Sequence, residues 1–157
     1  MVCRSGGILK MKVKIATIVD KAEVLSIFKK QRKVFPHIRT DYIQRQIQSK
    51  NVVFDKKVII INQQYKRDVS LGDKKFEKGT CIIHQIVNAK QGNGNAYKIL
   101  NKFVKSLPQN ADCILTVRKS NHTARRFYKK NGFKSVGNIN WSNNSIEGLI
   151  YKLRRVA

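Results

Sequence analysis

Residues Cys81–Leu100 read CIIHQIVNAKQGNGNAYKIL. The first part, Ile82 to Val87, is an apolar run of strand length, and an apolar helical pattern opens near Ala96. Lys90-Gln91-Gly92-Asn93-Gly94-Asn95 joins them, with two glycines, two asparagines and no acid. A helix start offers unpaired N–H groups and a partial positive charge. Glycines at that point let the backbone approach an anion closely, so the joint fits a phosphate cradle built from the amides of Gln91 to Ala96, with Lys90 as an added cation. A carboxylate there would repel the phosphate. The joint matches neither the Gly-Lys-Ser/Thr of a P-loop nor a G-x-G-x-x-G turn with an acid about 20 residues on. Taken alone, it reads equally as a flexible loop.

The elements on either side place this joint in a mixed α/β pattern. Lys12 to Val19 alternates as a strand, and Asp20-Lys21-Ala22-Glu23 fits a capping box in which Asp20 caps and Glu23 reaches back. Val24, Leu25, Ile27 and Phe28 give the helix that follows an apolar face, and Pro36 stops it. A second helix is predicted over Thr40 to Ser49, with Tyr42, Ile43 and Ile47 inward. Val52 to Phe54 and Lys57 to Tyr65 form two strands about a turn at Asp55-Lys56, and Asp68 to Gly79 is a polar, mobile loop. The helix after the cradle turns Ala96, Ile99, Leu100, Phe103, Val104 and Leu107 to one side. Ala111 to Val117 is a strand, and Asn121 to Lys130 a helix that Asn131-Gly132 ends in the left-handed manner. Lys134 to Trp141 and Leu149 to Leu153 are the last strands. The order β-α-α-β-β-β-α-β-α-β-β excludes a doubly wound nucleotide fold.

Composition bounds the function classes. With 157 residues, of which 41% are hydrophobic, the chain is long enough for one well-buried core. It has no apolar run near the ~18 residues of a membrane helix. Residues 1–10 read as a disordered leader and 11–157 as a single domain of a cytoplasmic protein. Cys3, Cys81 and Cys113 lie far apart, with no CxxC and no zinc spacing, so no metal is expected and the thiols read as buried and reduced. Net charge is +24, from 33 Lys plus Arg against 9 Asp plus Glu. That balance favours a polyanionic partner such as tRNA, DNA or the ribosome, although a simply solvated basic surface has the same composition.

A second segment, Leu115–Gly137, reads LTVRKSNHTARRFYKKNGFKSVG. Gln91-x-x-Gly94-x-Ala96, followed by Asn121-x-x-Ala124-x-x-Phe127-Tyr128-x-x-x-Gly132-Phe133, resembles the GNAT (GCN5-related) N-acetyltransferase superfamily. The likeness is sharp over Ile82 to Phe133 and follows element order from Met11 to Leu153. It implies a mostly antiparallel central sheet of about seven strands flanked by four helices, and acetyl-CoA as the acyl donor.

Site roles follow from that resemblance. The amides of Gln91, Gly92, Asn93, Gly94, Asn95 and Ala96 would hold the pyrophosphate. The strand ending near Val87 would pair with the pantetheine arm, and the N–H of Ile86 or Val87 would stabilise the oxyanion. Asn121 and Ala124 would contact the cofactor arm. Tyr128 would protonate the leaving thiolate, or else merely pack beside Phe127, itself a core residue. His84 is the candidate base, with a water chain as the alternative. His37, Arg39 and Tyr42 on one side and Trp141 on the other would line the acceptor's entry, and Tyr42 and Trp141 could equally close the core. The implied function is transfer of an acetyl or longer acyl group to a primary amine by a monomer or homodimer. Since like charge disfavours polycationic acceptors, an amine on aminoacyl-tRNA or a DNA base fits, as does a ribosomal protein N-terminus. The rival is a non-catalytic nucleic-acid-binding or CoA-sensing protein on the same scaffold.

Overall fold

A tight hairpin opens the sheet. Strand β1 (Val52–Asp55) pairs antiparallel with β2 (Val58–Gln64) through Val52–Ile61 to Asp55–Val58. The turn falls one residue later than predicted, at Lys56 and Lys57, whose φ values of 49° and 65° are those of a primed turn matching the twist of its strands. This computed structural model describes residues 13–33, 38–90 and 92–153. The expected leader, the start of the first strand at Lys12, Cys3, the Pro36 helix stop, His37 and Gln91 lie outside the described residues.

The remaining elements, in order, are helices α1 (Lys21–Lys30) and α2 (Thr40–Gln48) before the hairpin, and strands β3 (Val69–Leu71), β4 (Lys74–Phe76) and β5 (Cys81–Asn88) after it. Then come α3 (Asn95–Ser106), β6 (Cys113–Arg118), α4 (His122–Lys130), β7 (Phe133–Trp141) and β8 (Ile146–Leu153). The strands form a six-stranded sheet of order β1-β2-β5-β6-β8-β7 and a separate two-stranded sheet, β3-β4. Only the β5–β6 pair is parallel among the registered pairs. The fold is therefore the mixed, mostly antiparallel α/β class with four α-helices that the sequence implies.

By compactness the chain divides in two, with the boundary inside β5 between His84 and Gln85. The first unit holds the described residues up to Asn62 together with Gln85–Ser106. Its core gathers Val24, Ile27 and Phe28 from α1, Ile43 and Ile47 from α2, Val52, Ile59 and Ile61 from the hairpin, and Val87 from β5. Each such aliphatic side chain withdrawn from water contributes about 1.5–3 kcal/mol. Two expectations fail here. The predicted strand over Lys12 to Val19 shrinks, within its described part, to one bridge, Ile15 to Val53, because Ile18–Asp20 turns into a 3-10 helix. The capping box also sits one turn earlier. The Asp20 carboxylate accepts the Thr17 N–H at 2.9 Å, while Glu23 pairs with Lys57 instead of reaching back.

The second unit comprises Gln63–His84 with the described residues from Leu107 onward. One cluster joins Phe76, Ile82, Ile114, Ile139 and Ile150, with Tyr65, Leu71 and Trp141 packed against it. The expected mobile loop over Asp68 to Gly79 is instead the β3–β4 hairpin. Its acids are structural: Asp73 Oδ1 accepts the Asn138 N–H at 2.9 Å, the Asp73 N–H donates to the Asn138 carbonyl at 3.1 Å, and Asp68 Oδ1 accepts the Lys78 N–H at 2.8 Å. The Asn138 N–H holds the Asp73 carboxyl below its ordinary pKa. Two apolar anchors, Leu71 and Phe76, were too widely spaced among lysines to show a strand pattern.

Trp141 lies flat against Gly148 on the neighbouring strand, and a Cβ at Gly148 would overlap its ring. Gly148→Ala should cost about 1–3 kcal/mol through overpacking, read as a lower midpoint in urea unfolding; an unchanged midpoint would show that the ring does not pack there.

Candidate active site

In the first unit, asparagines order the joint between β5 and α3. Asn93 Oδ1 accepts the Asn95 N–H at 2.9 Å and an Asn88 side-chain N–H at 3.2 Å, while Asn88 Oδ1 accepts the Lys90 N–H at 3.1 Å. Gly92 and Gly94 take φ values of 84° and 77°, a conformation that disfavours other residues, and open space surrounds both α-carbons. Among the described residues, no protein acceptor meets the N–H of Gly92, Asn93, Gly94 or Ala96. The Asn95 amide, in contrast, is already occupied by Asn93. The first turn of α3 has no acid, and Lys90 and Lys98 are exposed beside it. The joint thus combines unpaired N–H groups, exposed lysines and no acid, the features expected of an anion cradle.

Strand β5 is registered with β6 only over Cys81–Cys113, Ile82–Ile114 and Ile83–Leu115. Beyond Ile83 its backbone has no recorded partner in β6. Ile86 is half-buried, and Val87 belongs to the first unit's core. Tyr42, also half-buried, donates from Oη to Gln85 Oε1 at 3.2 Å, and burial raises its pKa above the ordinary phenol value. Gln85 was overlooked in the sequence reading; its signal was a second polar residue after His84 inside an otherwise apolar strand. Arg39 is exposed and paired with Asp41 at 3.2 Å, and Arg45 shares that carboxylate at 3.3 Å.

In the second unit, His84 Nε2 sits 3.3 Å from Gln63 Oε1. With Gln63 Oε1 as the acceptor, this contact fits the tautomer in which Nε2 carries the proton and Nδ1 is left basic. Surrounding protein lowers the pKa of His84 by desolvation. Because the ordinary value is near 6.5, the ring is neutral at pH 7 and able to take a proton.

Helix α4 carries three of the predicted residues. Asn121 caps it, accepting the Ala124 N–H on Oδ1 at 3.1 Å, so two residues expected to contact the cofactor are bonded to each other, and among the described residues no protein acceptor meets the Asn121 side-chain N–H groups. Phe127 is not core: no side chain of α4 is fully buried. Tyr128 meets the rings of Phe127, Phe133 and Tyr151 edge to face at centroid distances of 5.5, 5.9 and 6.3 Å. Burial pushes its pKa to about 12, so the phenol stays protonated, and among the described residues its hydroxyl has no protein partner. Arg125, also overlooked, donates from Nε to Tyr151 Oη at 3.2 Å and from Nη1 to the Lys119 carbonyl at 2.8 Å. Trp141 is half-buried against the second unit's cluster.

Comparison with known proteins identifies the family. Residues 29–154 match the family model described as an acetyltransferase (GNAT) domain. The chain belongs to the GNAT acetyltransferase family. Its enzyme class, acyltransferase, is the one the sequence implies. Among solved structures, the GNAT-family acetyltransferase from Streptococcus agalactiae superposes with a TM-score of 0.74 at 12% identity, covering 93% of this chain and 96% of that one. A GNAT-family acetyltransferase from Bacillus cereus gives 0.67 at 17% identity, with 93% and 98% covered. The NatC complex bound to Gag peptide and CoA gives 0.53 at 12% identity, with 76% and 81% covered. At these identities the likeness shows the fold. No curated protein matched the chain. Among the described residues no group of His, Cys, Asp and Glu is placed to hold a metal, and no helix is long and apolar enough to cross a membrane.

If His84 removes the acceptor's proton, kcat/KM should fall on its acid side with a midpoint below pH 6.5, since neutral His84 is required and its pKa is lowered. His84→Ala should abolish that limb; an unaltered limb would assign the proton to water.

Proposed function

We propose that this GNAT protein transfers the acetyl group of acetyl-CoA to a primary amine borne on a nucleic acid, aminoacyl-tRNA or a DNA base. The observation that carries the reading is the acid-free joint of β5 and α3, whose amides at Gly92, Asn93, Gly94 and Ala96 meet no protein acceptor. Four unpaired N–H groups at a helix start suit a pyrophosphate. The CoA named in the NatC structure supports the same cofactor.

Bound acetyl-CoA supplies an activated thioester. Beyond Ile83, the edge of β5 on its β6 side would offer hydrogen bonds to a pantetheine arm, while the opposite edge belongs to β2. Through its N–H, Ile86 or Val87 donates to the thioester oxygen, where negative charge develops as the amine attacks. Neutral His84, or a water it orders, takes the proton released by the attacking nitrogen. Tyr128 donates its O–H toward the departing sulfur. A phenol near pKa 12 is a far weaker acid than a thiol of ordinary pKa near 8.5. In the free protein, Tyr128 therefore acts chiefly by hydrogen-bonding the thiolate; outright protonation requires the bound state to lower its pKa. The Asn121 amide N–H groups are available to the cofactor arm.

The acceptor class rests on charge. With a net charge of +24, the protein repels polycationic amines and attracts amines held on a phosphate backbone. A protein N-terminus displayed on the ribosome satisfies the same electrostatics.

Two variants test the assignment. Gly94→Glu fills the cradle with a side chain and a negative charge, and should abolish acetyl-CoA binding in calorimetric titration; retained affinity would refute this placement of the pyrophosphate. Tyr128→Phe should bind acetyl-CoA as the wild type does while thiol release in single turnover falls by about 100-fold, and an unchanged rate would remove Tyr128 from the chemistry.

A further inference from the structure

Between Cys113 and Ile146 the sequence carries seven Lys or Arg residues and no Asp or Glu. The structure organises them around α4. Exposed His122, Arg126, Lys129 and Lys130 recur at helical spacing and share one face. Tyr128 lies off that face, turned to Phe133 and Tyr151. At the head of the helix is an open cleft of about 570 Å³, lined by Arg118, Lys119, His122, Arg125, Ser145 and Glu147. Bonds to the Lys119 carbonyl and Tyr151 Oη hold Arg125 in place there.

Acids do not neutralise this face. Glu147 pairs with Lys119 at 3.5 Å, Asp112 with Lys152 at 3.1 Å, and Asp41 with Arg39 and Arg45. Asp68 and Asp73 are bonded to backbone amides of the β3–β4 hairpin and β7. Among the described residues, Arg126, Lys129 and Lys130 enter no ion pair. Like charges one helical turn apart repel, an arrangement that a polyanion relieves.

We propose that the exposed face of α4, with the cleft at its head, is the track on which the phosphodiester backbone of a nucleic acid lies. His122 to Lys130 spans about 12 Å at 1.5 Å per residue, the length over which one strand of duplex DNA presents three or four phosphates. The track gives a location to the nucleic-acid-borne acceptor and rests on that reading for its purpose, but binding here does not require acetyl transfer.

The test uses the full chain with two probes, a labelled DNA duplex of about 20 base pairs and bulk tRNA, each titrated by fluorescence anisotropy across a salt series. The triple variant Arg126→Gln, Lys129→Gln, Lys130→Gln is compared with Lys29→Gln, Lys30→Gln, Lys33→Gln, which removes the same charge from α1 and the segment after it. The α4 variant should bind at least tenfold more weakly near 0.1 M salt. The slope of log affinity against log salt should shrink by about 2–3 for the duplex, at ~0.9 per lost phosphate contact. The control should keep nearly the wild-type slope, and both should bind acetyl-CoA normally. Should the triple variant not fold, Arg126→Gln alone should lower the slope by about 0.9. Equal losses in the two triple variants, or no loss in either, overturn the track. Lost acetyl-CoA affinity with an unchanged nucleic-acid slope assigns these cations to the coenzyme and also overturns it. A wild type that binds no acetyl-CoA yet shows the α4-specific slope change would sink the acetyltransfer reading and leave the track standing. The probe with the larger slope change names the nucleic acid.

Discussion

The proposed coenzyme site depends on how β5 becomes α3 without spending its amides. A strand that enters a helix must leave the first N–H groups of the helix unpaired. Most helices satisfy some of them with a Ser, Thr or Asp cap. Here Asn93 takes the Asn95 amide and Asn88 takes that of Lys90, so the joint is ordered from its two ends. Between them, the N–H groups of Gly92, Asn93 and Gly94 meet no acceptor among the described residues, and both glycines take a positive φ. Order at the ends and freedom in the middle are what the proposed cradle requires, where a fully capped turn would be a plain connection.

Each compact unit has its own packing around its part of β5. Within the first, Ile99, Leu100 and Phe103 of α3 are buried, and Val87 anchors the end of β5 among α1, α2 and the first hairpin. Such packing holds the helix start still, which a preorganised anion site requires. In the second, the parallel β5–β6 register fixes the beginning of the same strand, and the rings around Tyr128 fix its phenol and keep it protonated.

Legibility in the sequence followed the strength of each physical signal. Both motifs were readable through their likeness to a family pattern, and glycines in the joint and Asn131-Gly132 at a helix stop are strong local signals; the caps made by Asn93 and Asn121 were not read. The long, periodic α3 was readable to within a residue. What escaped reading depended on contacts distant in sequence. Nothing local distinguishes Glu23 as a cap from Glu23 as the partner of Lys57. The β3–β4 hairpin has strands too short for alternation to register, and its docking on Asn138 is 65 residues away in the chain. Gln85 gains its meaning only from Tyr42, 43 residues earlier. Phe127 was assigned to the core by its type, yet α4 shields its neighbours without itself being fully covered.

The central claim is that the open amides of the β5–α3 joint bind the pyrophosphate of acetyl-CoA. Amide NMR of the ¹⁵N-labelled protein tests it most directly. On adding acetyl-CoA, the N–H resonances of Gly92, Asn93, Gly94 and Ala96 should shift the most and move downfield as they gain charged acceptors, while Asn95, already bonded to Asn93, should move less. Saturable binding that leaves the resonances of Gly92 and Gly94 in place would contradict the account, because the anion would then lie elsewhere on the protein.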